Sequence, residues 1–177
     1  MELLQLEFIN ACERQSDIYQ HLPLLYKLSN SVNHVTEFGV RDGQSTRALL
    51  ASSAAVRSYD LYIDFNLEKI FEYAKQNGRD VKYIQGNSLS VDIEPTDLLF
   101  IDTDHKYSQV KAELDRHHSK VSKYIAFHDT WIYGCNDTEN KGLLAAILEF
   151  LIDHKEWTVM YHTTENNGFT VLEKTVA

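Results

Sequence analysis

The sequence predicts a single α/β domain, a mostly parallel seven-stranded sheet with helices on both faces and an antiparallel hairpin at its C-terminal end. Three observations predict it. From Val35 onward, short β-rich runs alternate with helical patterns, as in a parallel sheet whose crossovers are helices. The last two β-rich runs are separated by only six residues, Thr163 to Gly168, too few for a helical crossover, so they form a hairpin. The 177 residues suit one domain of ordinary size, and no repeat, low-complexity tract or linker divides them.

The predicted strands are Val35–Val40, Val56–Leu61, Val81–Gln85, Leu98–Asp102, Tyr124–His128, Thr158–His162 and Phe169–Glu173. Between them, Leu67, Ile70, Phe71 and Ala74 recur at helical spacing, as do Val110, Leu114 and Val121. A last helix carries Leu143, Leu144, Ile147, Leu148 and Leu151, with Asp137 or Thr138 as its N-cap. Ahead of the first strand, Ile18, Leu22, Leu25 and Leu28 predict a helix over the core, with Pro23 near its start or at a kink. The first dozen residues are apolar enough for another short helix or for contact with a partner subunit. Residues 1–34 thus read as a helical cap and residues 35–177 as the main body of one compact domain.

Composition narrows the function classes. Hydrophobic residues make up 44% and charged residues 24%, ordinary for a globular protein, and no run approaches a membrane span. Met1 to Gln5 show no basic segment leading into an apolar core, so no secretory signal is read and the cytoplasm is the expected compartment. Cys12 and Cys135 form neither a metal-type spacing nor a disulfide framework. The formal net charge of −9 argues against a domain held on nucleic acid by phosphate neutralisation.

The most informative segment runs from Val35 through Glu37, Gly39 and Gly43 to Ser45 and Thr46. A strand ends in two glycines four apart and a helix follows at once. Gly39 allows a sharp turn and close approach to a ligand, and Gly43 does the same where the helix starts. Ser45 or Thr46 can cap that helix, whose free N–H groups suit a carboxylate or phosphate. Asp60 ends the next strand 21 residues after Gly39, near the offset at which an acidic side chain grips a ribose through two hydroxyls. A generic turn with a surface aspartate is the plain alternative. Glu37, the strand–turn–helix context and Asp60 favour an adenosyl ligand, and the G-x-x-x-G spacing disfavours a dinucleotide.

Glu37-x-Gly39-x-x-x-Gly43-x-Ser45 resembles motif I of the class I S-adenosylmethionine-dependent methyltransferases, a similarity that extends from about Val35 to Glu173. The resemblance implies a Rossmann-like sheet of order 3-2-1-4-5-7-6 and S-adenosylmethionine as cofactor. It assigns Glu37, Gly39, Gly43, Gln44, Ser45, Asp60, Asn87, Ser88 and Asp102 to cofactor binding. In that assignment Gly39 faces the methionine part, Gln44 and Ser45 its carboxylate, Asp60 the ribose, and Asn87 and Ser88 the adenine. The family often has an Asp where Asn87 or Ser88 stands.

A second cluster lies beyond the fourth and fifth strands: Asp102, Asp104 and His105, then His128 and Asp129. Strand ends lie about 5 Å apart, so Asp102 and Asp129 can converge where open α/β sheets bind ligands. Like charges gathered there repel unless something compensates them. A divalent cation would do so: oxygen ligands favour magnesium, calcium or manganese, and histidine shifts the choice toward manganese, iron or zinc. Without metal, His128 or His105 could serve as general base toward a hydroxyl.

The run Phe-Ile-Asp102-x-Asp104-His105-x-Tyr107, with Val110, Glu113 and Leu114, then Phe127-His128-Asp129, resembles a methyltransferase subgroup. It includes cephalosporin hydroxylase-like proteins and macrocin-type sugar O-methyltransferases. The resemblance implies Mg²⁺ or Mn²⁺ held by Asp102 or Asp104 with His128 and Asp129, and catalytic roles for His128, Asp102 and His105. His128 stands where a carboxylate or its amide is usual in the metal-dependent branch. The implied reaction is O-methylation of a sugar, polyol or phenol. Asp102-Thr103-Asp104 also matches the DxD of metal-dependent glycosyltransferases that use sugar nucleotides, and a non-catalytic cofactor-binding module is a further reading.

His117-His118 reads as a solvated helix face, and His21, His34, His154 and His162 lack partners at ligand spacing. Trp131, Tyr133 and the loop to Asn140 either shape an acceptor pocket or form plain surface. The short N-terminal cap leaves little chain to enclose an acceptor, so a homodimer is expected.

Overall fold

The structure is a computed structural model that describes residues 3–175; Met1, Glu2, Val176 and Ala177, the outer ends of the expected cap and main body, lie outside it. Among the described residues seven strands form one sheet: β1 (His34–Phe38), β2 (Ala55–Asp60), β3 (Val81–Gln85), β4 (Thr96–Ile101), β5 (Val121–His128), β6 (Trp157–Thr163) and β7 (Phe169–Lys174). Their order is β3-β2-β1-β4-β5-β7-β6, as the resemblance implied. β7 runs antiparallel to β5 and β6, and the remaining pairs are parallel.

Helices α1 (Leu3–Glu13), α2 (Leu22–Asn30), α3 (Gln44–Ala51) and α4 (Phe65–Gln76) belong to one face, α5 (Tyr107–His117) and α6 (Leu143–Asp153) to the other. The alternation of β4 shows why. Leu98 and Phe100 join Leu22, Leu25, Leu49 and Phe71 in one core, while Leu99 and Ile101 join Val110, Leu114, Ile147 and Phe150 in the other. A strand covered on both sides therefore reads as a continuous apolar run. Among the described residues no helix is long and apolar enough to cross a membrane.

Four local expectations are corrected. Val121 opens β5 instead of extending the helix before it. Neither Ser45 nor Thr46 caps α3: the N-cap is Gly43 in the left-handed region, and both hydroxyls turn inward to Glu37. α6 starts after Gly142, not at Asp137 or Thr138, and Asp137 instead accepts the amides of Tyr107, Glu139 and Lys141. It thereby ties the first turn of α5 to the loop after β5. His117 is buried against the Phe38 ring, and its Nε2 lies 2.7 Å from the Ser88 carbonyl, so it is no solvated face.

Two features shape the carboxyl edge of the sheet. Gly39 has φ +85°, and a Cβ there would lie 1.8 Å from the Asp102 carbonyl oxygen. Below it, the fully buried Glu37 accepts hydrogen bonds from Ser45 (2.6 Å), Thr46 (3.0 Å) and Ser58 (2.5 Å), joining β1, α3 and β2. Burial outweighs these three donors and pushes the Glu37 carboxyl up from 4.5 to about 7.

Gly39→Ala is expected to destabilise the fold by roughly 3 kcal/mol or more, because backbone must yield. Gly78→Ala, at φ +79° but with nothing within 4 Å, should cost only about 1 kcal/mol. Urea unfolding of the two variants checks the contrast. For Glu37 the folded chain keeps a proton that the unfolded chain releases between pH 4.5 and about 7, so stability falls as pH rises through that window. The group's share is about 3 kcal/mol. Glu37→Gln should remove that share, so its unfolding midpoint gains on wild type from pH 5 to 7; parallel profiles would contradict the assignment.

Candidate active site

The chain builds β1, β2 and β3 outward in one direction and β4 and β5 in the other. The connections after β1 and β4 therefore part, and a crevice opens beyond the strand ends. It holds a cavity of about 310 Å³ lined by Gly39, Asp60, Asn87, Ser88, Asp102, Asp104 and His105 among the residues singled out from sequence. Arg41, Tyr59, Leu61, Gly86, Thr103 and Gln109 complete the lining. Glu37, Gly43, Gln44 and Ser45 do not line it. They lie behind the β1–α3 turn and act on its shape.

Asp60 stands at the rim and braces that turn. Its Oδ2 accepts the amides of Val40 (2.7 Å) and Arg41 (3.0 Å), and its Oδ1 the amide of Tyr62 (3.2 Å). Arg41 sits in the left-handed region at φ +48° and meets Asp17 at 2.6 Å. Beside this turn, the Gly86 amide donates to the Asp60 carbonyl (2.8 Å), and Asn87 Oδ1 accepts the Leu89 amide (2.8 Å), shaping the loop after β3. Ser88, on the lining, spends its hydroxyl on Glu113 (2.6 Å), to which Thr103 (2.9 Å) and Gln109 (2.8 Å) also donate. Glu113 is fully buried, and burial raises its pKa despite these donors.

The cluster beyond β4 and β5 forms as expected, with one exception. His128 Nδ1 lies 3.3 Å from Asp102 Oδ1 and 3.2 Å from Asp129 Oδ2. His105 Nε2 lies 2.7 Å from Asp129 Oδ2 and 3.8 Å from Asp102 Oδ1, and its ring stacks on Tyr133 at 4.5 Å. Asp104 does not join. The chain bends at Thr103, and the Asp104 carboxylate points outward to Lys106. The DxD reading loses its second carboxylate.

Burial alone would lower the pKa of both imidazoles, yet Asp102 and Asp129 outweigh it and raise His105 to about 9 and His128 to about 10. The two aspartates are held below the usual carboxylate range by the same histidines, against the effect of burial. The four groups by themselves thus favour the charged form of both imidazoles. His128 Nε2 lies 2.9 Å from the Asp17 carbonyl, which accepts its N–H and turns Nδ1 toward the carboxylates.

One observation bears on a metal. Asp129 Oδ2 is buried with no aligned hydrogen bond, although two ring nitrogens approach it within 3.2 Å. Asp102, His128 and Asp129 each offer a donor atom within 4.8 Å of the others. Two carboxylate oxygens and one imidazole nitrogen converge there, joined by one long hydrogen bond from His128 Nδ1 to Asp102 (3.3 Å) and with Asp129 Oδ2 left without one, a set that fits a divalent cation.

Arg41, Asp17, Thr103, Gln109 and Glu113 were not assigned roles from sequence. A glutamate beside Val110 and Leu114, in a helix's apolar stripe, was a usable signal for Glu113. Asp17 offered none, because its partners Arg41 and His128 are distant in the chain.

No family model matches this sequence, and no curated protein matches it. Solved structures do. An O-methyltransferase from Bacillus cereus in complex with S-adenosylhomocysteine superposes with TM-score 0.68 at 16% identity, covering 99% of this chain and 92% of that one. The N-methyltransferase NodS from Bradyrhizobium japonicum, also with S-adenosylhomocysteine, gives 0.66 at 14% identity over 97% and 96%. The 1,6-didemethyltoxoflavin N1-methyltransferase from Burkholderia thailandensis gives 0.63 at 13% over 93% and 80%. By these superpositions along nearly its whole length, this chain has the fold of the class I S-adenosylmethionine-dependent methyltransferases.

Proposed function

We propose that this chain is an S-adenosylmethionine-dependent methyltransferase that methylates a hydroxyl oxygen of a small acceptor, a sugar, polyol or phenol. The observation that carries the reading is the Asp102–His105–His128–Asp129 cluster, whose Asp102 and His105 line the cavity while His128 and Asp129 are buried behind them. A bare binding module has no use for two buried carboxylates held at close range, because their repulsion costs stability.

The cofactor supplies an electrophilic methyl group on its sulfonium. Mg²⁺ or Mn²⁺, held by Asp102, His128 and Asp129, would favour the ionised form of an acceptor hydroxyl. The chain's own residues bind and orient. Gly39 lets the backbone approach the ligand closely, and Asp60 stands where it can accept from ribose hydroxyls. Asn87 and Gly86 border the adenine side. His105, stacked on Tyr133, forms the acceptor-side wall with its Nε2 held against Asp129 (2.7 Å). Most of the acceleration then comes from alignment of the reacting atoms.

The exposed Trp131 and Ile132 follow the cluster directly, and a second copy of the chain covering them would close the acceptor side as a homodimer. The net charge of −9 and the acidic cavity disfavour nucleic acid as the acceptor.

Methyl transfer from tritiated S-adenosylmethionine to a panel of sugars, polyols and catechols, with and without Mn²⁺, tests the reading. O-methyl product stimulated by Mn²⁺ is expected, with Asp129→Asn lowering the rate on the order of 100-fold while still binding cofactor. Cofactor binding without transfer to any acceptor would leave a sensor module in its place.

A further inference from the structure

We propose that Arg41 takes the α-carboxylate of the bound cofactor, releasing Asp17, so that the Asp17 side chain acts as an internal competitor for cofactor binding. The inference rests on the methyltransferase reading and adds to it the group that recognises the amino-acid end of the ligand.

The cavity is acidic. Asp60, Asp102 and Asp104 line it, with Asp129 just behind. A ligand bearing a carboxylate meets repulsion there unless a cation receives it. Among the described residues lining the cavity, Arg41 carries the one guanidinium or ammonium group, and the His105 imidazole, the other group able to carry positive charge, is already held against Asp129 (2.7 Å). The two residues expected beside the carboxylate are occupied elsewhere. Ser45 Oγ donates to Glu37 (2.6 Å) and Gln44 Nε2 to Asp42 (3.0 Å). The unpartnered atom of Gln44 is Oε1, an acceptor that repels a carboxylate.

The backbone at Arg41 is set for this task. A non-glycine residue at φ +48° is strained, and such positions gather at ligand sites. The Asp60 carboxylate holds the strained turn through the Arg41 amide at 3.0 Å. The guanidinium meets Asp17 at 2.6 Å, with the two side chains 54% and 30% exposed. An ion pair this open is weak and readily exchanged. A cofactor carboxylate offers the same charge and the same planar fit to guanidinium. The exchange needs only a side-chain swing, because the Asp17 backbone stays anchored through its carbonyl by His128 Nε2 (2.9 Å).

Calorimetric titration of the full chain with S-adenosylmethionine and with its decarboxylated analogue tests this. Wild type is expected to bind S-adenosylmethionine about tenfold more tightly than the analogue, as one charge-assisted pair allows. Arg41→Gln should abolish that preference and leave the analogue's affinity unchanged, while Arg41→Lys keeps part of it. Asp17→Asn, a milder change away from the strained turn, should tighten S-adenosylmethionine alone. Equal weakening of both ligands in Arg41→Gln, or an unchanged preference, overturns the assignment and leaves the methyltransferase reading standing. Failure of wild type to bind either compound removes both.

Discussion

The carboxyl ends of β1 and β4 are pressed together more closely than any side chain permits, since a Cβ on Gly39 would fall 1.8 Å from the Asp102 carbonyl. The contact is held from both sides: the Gly39 amide donates to Tyr59 (3.0 Å) and the Asp102 amide to Phe38 (2.9 Å). The two strands stay paired to their last residues, and their outgoing connections must then part at once. One leads into α3 and the other toward α5. The cavity is the space between them, so its existence depends on Gly39 more than on any other residue that lines it.

Each wall of the cavity is secured from behind by a buried carboxylate. Glu37 gathers the hydroxyls of Ser45, Thr46 and Ser58 under one wall, and Glu113 gathers Ser88, Thr103 and Gln109 under the other. Burying a carboxyl is unfavourable, and the raised pKa of both groups registers it. What the fold gains is rigidity: loops without regular structure are fixed by donors that converge on one acceptor group. The aspartates beyond β4 and β5 differ, because histidines compensate them: Asp102 meets His128, and Asp129 meets His105 and His128.

The strands were legible in sequence because a doubly covered parallel strand must be apolar along its whole length, as Leu98 to Ile101 are. Gly39, Gly43 and Asp60 were legible because a turn with positive φ and an acidic residue one strand later form a local pattern. The errors share one cause. Ser45 and Thr46 looked like caps until a carboxylate from the preceding strand claimed their hydroxyls. His117 looked solvated, yet Phe38 lies across from it. Asp104 looked like the partner of Asp102, but the chain bends between them. Arg41 and Asp17 escaped notice because their pairing joins a turn to a segment of the N-terminal cap. Periodicity reports which face is apolar; it does not report which distant polar group waits on that face.

The central claim is that the crevice between the β1 and β4 connections receives the adenosyl cofactor. Amide hydrogen exchange with and without S-adenosylhomocysteine tests it most directly, since it reads each loop separately. The account predicts added protection at residues 39–43, 86–88 and 102–105 together, and none around the open groove bounded by Ala51, Ser53 and Asp80 at the other end of the sheet. Protection confined to that groove, or none at the three turns, would contradict it.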